Sequence, residues 1–387
     1  CDVDRWRLDN VYERAAQQFG KDVPEVEALK TCPRYVDFRE VLARDDVDAV
    51  MISSPDHWHV SMVLAAAEAK KDICCEKPLS QSIAQGRLLS DTVRKHKCVF
   101  RTDSEFRSIP LFHRACHLVF NGRIGEIRSM RMAVPNWNEP LAQQPEMPVP
   151  KDLDYDLWLG PAPMKPYTEK RVHPPRSYGR PGWYANQDYC DGVIVNWGHH
   201  LADVVQWANG TERSGPVEVE GKGNFPPADG LWNVMLGYEV RYRYANGTRL
   251  FYHVVPPSGP ERPYVRFEGS EGWIQVDYGP DKLTAEPASI LDSKIGPDEI
   301  QFPLKNEKRD FIDCVKTRSQ TMEDAEVGHR ATSLCQLGYI ACQTGEKLQW
   351  DPEKERFSNS DAANKLLTRP PWRQPWTLSP AKVRILL

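Results

Sequence analysis

The chain has 387 residues, with 50 Lys and Arg against 54 Asp and Glu and a formal net charge of −4. That length allows two domains and a large core without disulfide or metal staples, and the slightly acidic balance excludes a nucleic-acid binder that works by bulk positive charge. Hydrophobic residues at 40% and charged residues at 27% are those of a folded globular protein, and no apolar run approaches the roughly 18 residues that a membrane helix needs.

In chain order, CDVD at residues 1–4 reads as the end of a strand, and 5–19 as a helix closed by Gly20. Residues 38–43 form a short helix. The run DAVMIS at 48–53 is continuously apolar, the mark of a strand buried on both faces. An Ala-rich helix at 57–70, a strand at 72–75, a helix at 81–96, a strand at 98–102 and a helix at 111–121 follow. Helices alternating with apolar strands predict βαβ units and a parallel sheet of the doubly wound, nucleotide-binding kind. Residues 135–181 hold 11 of the 32 prolines and no periodicity, so they read as long ordered loops over a site, with plain surface covering as the alternative. VRYRYANGTRLFYHV, with Asn246-Gly247 at its turn, and VRFEGSEGWIQVDY predict two hairpins of a largely antiparallel sheet. Residues 308–345 read as helical and 351–387 as a wrapping tail. The domain boundaries follow: 1–108 a partial Rossmann dinucleotide-binding domain, 109–350 an α/β domain for substrate binding and oligomerisation, and 351–387 the tail. The ten cysteines include no CxxC pair, and Cys74 and Cys75 are neighbours in an apolar run; both features predict reduced, buried thiols.

Three segments carry candidate chemistry. Ser53-Ser54-Pro55-Asp56-His57-Trp58-His59 ends a parallel strand, where ligands of open α/β sheets bind. Its hydroxyls and the helix start after it suit phosphate or ribose. The HxH of His57 and His59 reads as cofactor contact, with capping and metal ligation as the alternatives. Glu76-Lys77-Pro78 ends the next strand, and Lys77 there is a candidate for proton transfer, with a plain solvated turn as the alternative that the tripeptide alone favours. Asn196-Trp197-Gly198-His199-His200-Leu201-Ala202-Asp203 leads to Trp207. Read as one helix, it puts Asn196, His200, Asp203 and Trp207 on one face, with a satisfied core histidine or a metal pair as the alternatives.

Taken together, CDVD, SSPDHWHV, CCEKPLS, NGRIGEI, DLWLGPAP, NWGHHLADVVQW, SGPVEVEG and DPEKERF followed by ANKLL make the chain resemble the Gfo/Idh/MocA oxidoreductases along nearly its whole length. Its details look most like the branch found in planctomycete-type bacteria. The resemblance implies a Rossmann domain followed by an α/β domain with an open, mostly antiparallel sheet. It also implies NAD, with NADP as the alternative, and hydride transfer at a sugar, glycoside or polyol hydroxyl. Lys77 matches the family's catalytic lysine and His200 its catalytic histidine. Asn196 stands where relatives usually carry Asp; it cannot take up a proton, so it is expected to orient a hydroxyl or an imidazole. Asp2 matches the acidic residue that holds the adenosine ribose. Ser53, Ser54, Pro55, His57, Trp58, His59, Glu76, Lys77 and Pro78 are expected around the cofactor. Arg107, Trp183, Tyr184, Asn196, His199, His200 and Asp203 are expected around the substrate, with Trp137 and Trp158 as further stacking candidates. No metal is expected.

The family's glycine-rich turn is absent from this sequence, which leads us to expect that about thirty residues precede Cys1. The partners implied are a small carbohydrate and a second copy of the chain, as homodimer or homotetramer. The location is the cytoplasm, or the periplasm by twin-arginine export. The rival readings are a redox-neutral glycosidase with retained NAD, a non-catalytic nucleotide-binding or structural protein on the same scaffold, and a metal hydrolase using His199, His200 and Asp203.

Overall fold

The computed structural model describes residues 1–136, 139–256, 261–279, 281–370 and 372–376. Its first part comprises α1 (Arg5–Phe19), α2 (Pro24–Ala28), α3 (Phe38–Leu42), β1 (Ala49–Ile52), α4 (Asp56–Glu68), β2 (Asp72–Glu76), α5 (Ile83–His96) and β3 (Phe100–Asp103). The three strands pair in parallel in the order β1-β2-β3. The helices start where short polar side chains cap them. Asp4 accepts from Trp6 N at the head of α1, and Ser82 from Gln85 N at the head of α5. Leu64, Ile73, Leu79 and Leu89 form the core between this sheet and its helices.

The second part comprises α6 (Pro110–Phe120), β4 (Ile127–Pro135), α7 (Tyr155–Leu159), α8 (Val193–Asn196), α9 (Gly198–Ala208), β5 (Glu218–Asn224), β6 (Gly237–Arg243) and β7 (Arg249–Val255). It continues with β8 (Tyr264–Gly269), β9 (Trp273–Asp277), β10 (Lys282–Glu286), α10 (Glu307–Thr317), α11 (Ala325–Thr344), β11 (Leu348–Asp351), β12 (Arg356–Phe357) and α12 (Asp361–Lys365). Its nine strands lie in the order β10-β9-β8-β4-β7-β6-β5-β11-β12. β4 runs parallel to β7, and the other pairs are antiparallel. Both expected hairpins form, as β6–β7 and β8–β9, and Gly247 at the first turn has a φ of +87°. One face of the sheet packs on α6, α9 and α11 through a core that includes Phe112, Met132, Leu201, Tyr252 and Leu334.

Four expectations are corrected here. Residues 1–4 form no strand: Asp2 N donates to Tyr35 O at 3.1 Å, and Asp4 makes a single bridge to Leu153. β1 is not buried on both faces where it borders an open cleft, and Met51 in mid-strand is 52% exposed. The expected tail at 351–387 does not begin outside the sheet, since β11 crosses that boundary and β12 is the outermost strand. The helical region at 308–345 is interrupted between α10 and α11.

α11 joins the two parts. Leu79 N donates to the Thr332 hydroxyl at 3.2 Å, and Gln336 donates to Ser80 O at 2.8 Å. All ten cysteines are free thiols and seven are buried, so they belong to the packing. Among the described residues, no helix is long and apolar enough to cross a membrane.

Candidate functional site

A cleft of about 1030 Å³ runs along the carboxyl ends of the parallel strands and under the loops between β4 and α8. Such a volume suits a ligand of cofactor size, and strand ends are where open α/β sheets bind ligands. Asp2, Ser53, Ser54, Pro55, Trp58 and Glu76 line it, as do Lys77, Trp183, Tyr184, Asn196 and His200.

The polar centre is built from three elements. Lys77 follows β2, and its peptide bond to Pro78 is cis. Its Nζ donates to Asn196 O at 3.0 Å and to Asn196 Oδ1 at 3.3 Å. The amide nitrogen of Asn196 donates in turn to both carboxylate oxygens of Asp56, each at 3.1 Å. The amide is thereby oriented, with its oxygen toward the lysine and its NH₂ toward the aspartate. Asp56 opens α4 and is buried; burial raises its pKa, and the neighbouring His59, Lys77 and Asn196 oppose that rise. Sequence reading missed this residue's part in the centre. It placed Asp56 inside a motif, but the residue that fixes it lies 140 positions away. The position of Asn196 therefore has a carboxylate behind it.

His200 lies on the other side of the centre. Its Nδ1 is 3.0 Å from the Ser104 hydroxyl and 3.6 Å from Glu105 Oε2, and its ring stacks on Phe106 at 4.7 Å. Among the described residues its Nε2 has no hydrogen-bond partner. Burial, then the charge of Lys77, holds the imidazole well below its ordinary pKa, so it is neutral at pH 7. Glu76 is pushed up to about 7 by burial and by Asp103, with Lys77 and Lys308 opposing. The site thus places a lysine, a neutral imidazole and a carboxyl that titrates near neutrality in one cleft, the equipment of proton transfer.

Local packing fixes these parts. The segment expected to be a single helix is two, α8 ending at Asn196 and α9 starting at Gly198. A Cβ on Gly198 would lie 2.1 Å from the Tyr252 hydroxyl, so only glycine lets α9 begin this close to the sheet. Gly160, at a φ of +48°, leaves room for the Trp58 ring, which would lie 2.1 Å from a Cβ there.

Several expected contacts are elsewhere. His57 and His59 do not line the cleft. His57 Nε2 is 3.0 Å from Trp158 O, which also accepts from Trp58 Nε1, and burial pushes the imidazole down to about 3. The ring nitrogens of His59 reach Pro78 O at 2.7 Å and Ser54 O at 2.9 Å, so His59 ties two cleft-lining turns together from behind. Pro78 is buried and turns its carbonyl to that histidine. His199 is fully buried between Thr332 at 3.0 Å and Glu323 at 3.0 Å. Burial drives the His199 imidazole down to about 3 and the Glu323 carboxyl up, which leaves a neutral hydrogen-bonded pair. Arg107 and Asp203 hold each other by two hydrogen bonds of 2.5 and 2.7 Å, away from the cleft. Trp158 is 3% exposed and borders the cleft, packed edge-on against Tyr189. Trp137 lies outside the described residues. Among the described residues, no three His, Cys, Asp or Glu side chains gather as they would around a metal.

Residues 133–378 match a family model described as "Oxidoreductase family, C-terminal alpha/beta domain", and residues 2–104 match one described as "Oxidoreductase family, NAD-binding Rossmann fold". Levoglucosan dehydrogenase of Pseudarthrobacter phenanthrenivorans is 34% identical over 95 residues, 24% of this chain and 24% of that protein. Myo-inositol 2-dehydrogenase of Thermotoga maritima is 31% identical over 121 residues, 31% of this chain and 33% of that protein. The matched stretches therefore span about a quarter to a third of these curated relatives. A solved levoglucosan dehydrogenase in complex with NADH and levoglucosan superposes with a TM-score of 0.60 at 16% identity, covering 88% of this chain and 87% of that one, a likeness of fold.

Proposed function

The chain belongs to the Gfo/Idh/MocA oxidoreductase family, and from that membership we propose that it transfers a hydride between NAD and a hydroxyl-bearing carbon of a sugar, glycoside or polyol. The observation that carries this reading is the convergence of Lys77, Asn196 and His200 in one cleft at the strand ends.

The cleft fits a dinucleotide. Asp2 lies at one part of its wall, where a carboxylate suits ribose hydroxyls, and the Ser53-Ser54-Pro55 turn borders the same space. Arg7 also lines it, but its guanidinium is engaged by Ser177 O at 3.3 Å and Asp4 at 3.7 Å. That arrangement favours NAD over NADP, whose extra phosphate needs a basic side chain to receive it. When bound, NAD supplies the hydride acceptor.

The protein's own groups handle the hydroxyl and its proton. Lys77 Nζ, at the cleft wall and hydrogen-bonded to two oxygens of Asn196, enters the step as the neutral amine, and its lone pair takes the proton that leaves the hydroxyl. His200 is neutral and offers Nε2 to the same hydroxyl, orienting it. Asp56 keeps the Asn196 amide from rotating. Incubating the purified protein with NAD and a panel of aldoses, anhydrosugars, glycosides and cyclic polyols tests the reading by absorbance of NADH. Formation of NADH with none of them overturns it.

Two predictions follow from the electrostatics. Oxidation of a hydroxyl releases a proton, and a negative charge beside Lys77 stabilises the site that receives it. Glu76 is neutral below about pH 7 and ionised above. Activity in the oxidising direction therefore rises through pH 7, and Glu76→Gln removes that limb; an unchanged pH profile in the variant refutes the role. Asp56→Asn keeps one acceptor for Asn196 but adds a competing donor and removes the charge. We expect kcat to fall about tenfold, the worth of one hydrogen bond to a charged group. The melting temperature should hold, because the variant no longer buries a carboxylate; a wild-type kcat removes Asp56 from the centre.

A further inference from the structure

A second cavity of about 300 Å³ adjoins the cleft. The turn at Gly182–Ala185 divides the two, and Pro181 and Tyr184 line both. Trp183 lines the cleft and stacks on Tyr184 with centroids 3.9 Å apart, so the divide is a ridge of paired rings. Trp232 also lines the cavity, and its indole Nε1 donates to Lys170 O at 2.8 Å and is thereby pinned. A Cβ on Gly182 would lie 1.8 Å from that same carbonyl, so a glycine is what brings the turn, Lys170 and Trp232 together.

The charged residues of this cavity are Glu139, Glu169, Lys170 and Arg180, two of each sign. The side chains of Glu139, Glu169 and Lys170 make no hydrogen bond or ion pair among the described residues. A fixed indole suits the apolar C–H face of a pyranose, and carboxylates and an ammonium accept from and donate to its hydroxyls. The balance of charge selects for a neutral ligand over an anionic one.

We propose that this cavity is a second saccharide subsite. It holds the sugar unit linked to the one in the cleft, so the substrate is a neutral glycoside of two or more units in preference to a free monosaccharide. This inference rests on the reading of the cleft as a sugar site.

Calorimetric titration of the full-length protein in the presence of NAD tests it, with glucose and methyl glucosides compared against neutral α- and β-linked glucose disaccharides, and NADH formation is followed in parallel. We expect at least one disaccharide to bind about tenfold more tightly than the matched monosaccharide. Trp232→Ala should abolish that advantage, and Trp232→Phe should keep most of it. If Trp232→Ala does not fold, the double change Glu169→Gln with Lys170→Ala, on the exposed side of the cavity, serves in its place. Equal affinity for both classes, no measurable disaccharide binding, or an advantage that survives these substitutions overturns the proposal. Tighter disaccharide binding without NADH formation supports the subsite and sinks the oxidoreductase reading. NADH from monosaccharides with no disaccharide advantage does the reverse.

Discussion

Replacing Lys77 by Met lowers kcat by about 10²- to 10⁴-fold, the usual weight of a positioned proton-transfer group, and leaves the fold in place. The side chain is half-buried, and among the described residues its Nζ hydrogen-bonds only to Asn196, which borders the cleft. Circular dichroism and the melting temperature should therefore match the parent. Lys77→Arg separates the roles that a cation can play. A guanidinium supplies charge and hydrogen bonds but does not give up its proton, so the Arg variant stays slow if Lys77 moves a proton and recovers if it serves only as a fixed charge. Lys77 is also among the charges that hold His200 neutral. In the Met variant the His200 imidazole titrates at higher pH, which NMR of the ring carbons reads directly. A Lys77→Met enzyme within a few-fold of the parent ends the assignment.

The fold was readable where one periodicity dominates. The segment that became β2, DICCE, is buried along nearly its whole length, and continuous apolar runs of that kind occur mainly in covered parallel strands. The segment around Asn246-Gly247 alternates in two-residue steps, and its turn needs a positive φ that glycine supplies. DAVMIS reads the same way, and Met51 in mid-strand is nonetheless 52% exposed where β1 borders the cleft. The site divides the same way. Lys77, Asn196 and His200 were found from motif positions, and the structure brings them to one cleft. Asp56 was missed, and His59, His199 and Asp203 were placed at ligands, for a single reason. A polar face tells that partners are required, but those partners are Pro78 O and Ser54 O for His59, Thr332 and Glu323 for His199, and Arg107 for Asp203. Apart from the contact with Ser54, these partners lie 19 to 133 residues away in the chain, and no local spacing encodes them.

Asp203→Ala destabilises the protein by about 3 kcal/mol, because it removes the bidentate partner of a buried guanidinium that Glu212 and Met322 O satisfy only in part. Arg107 is 3% exposed and Asp203 0%, and the pair is closed by two short hydrogen bonds. Arg107 also donates to Met322 O at 3.0 Å, reaches Glu212 at 2.8 Å and lies 4.9 Å from the centroid of the Trp207 ring. It therefore links the short helix after β3, the α9 helix and the segment before α11. Loss of either partner should lower the melting temperature by on the order of 10 °C. Neither side chain lines the cleft, so the KM of the folded fraction stays at the parent value. The paired change of Arg107→Met with Asp203→Leu removes both charges together and fills the space with apolar groups. It should recover more than half of the lost stability, since replacing a buried ion pair is far less costly than breaking one. Glu212 loses its partner in the paired variant and its Oε2 is buried, so the recovery stops short of the parent. A raised KM with an unchanged melting temperature would instead return Arg107 and Asp203 to the substrate.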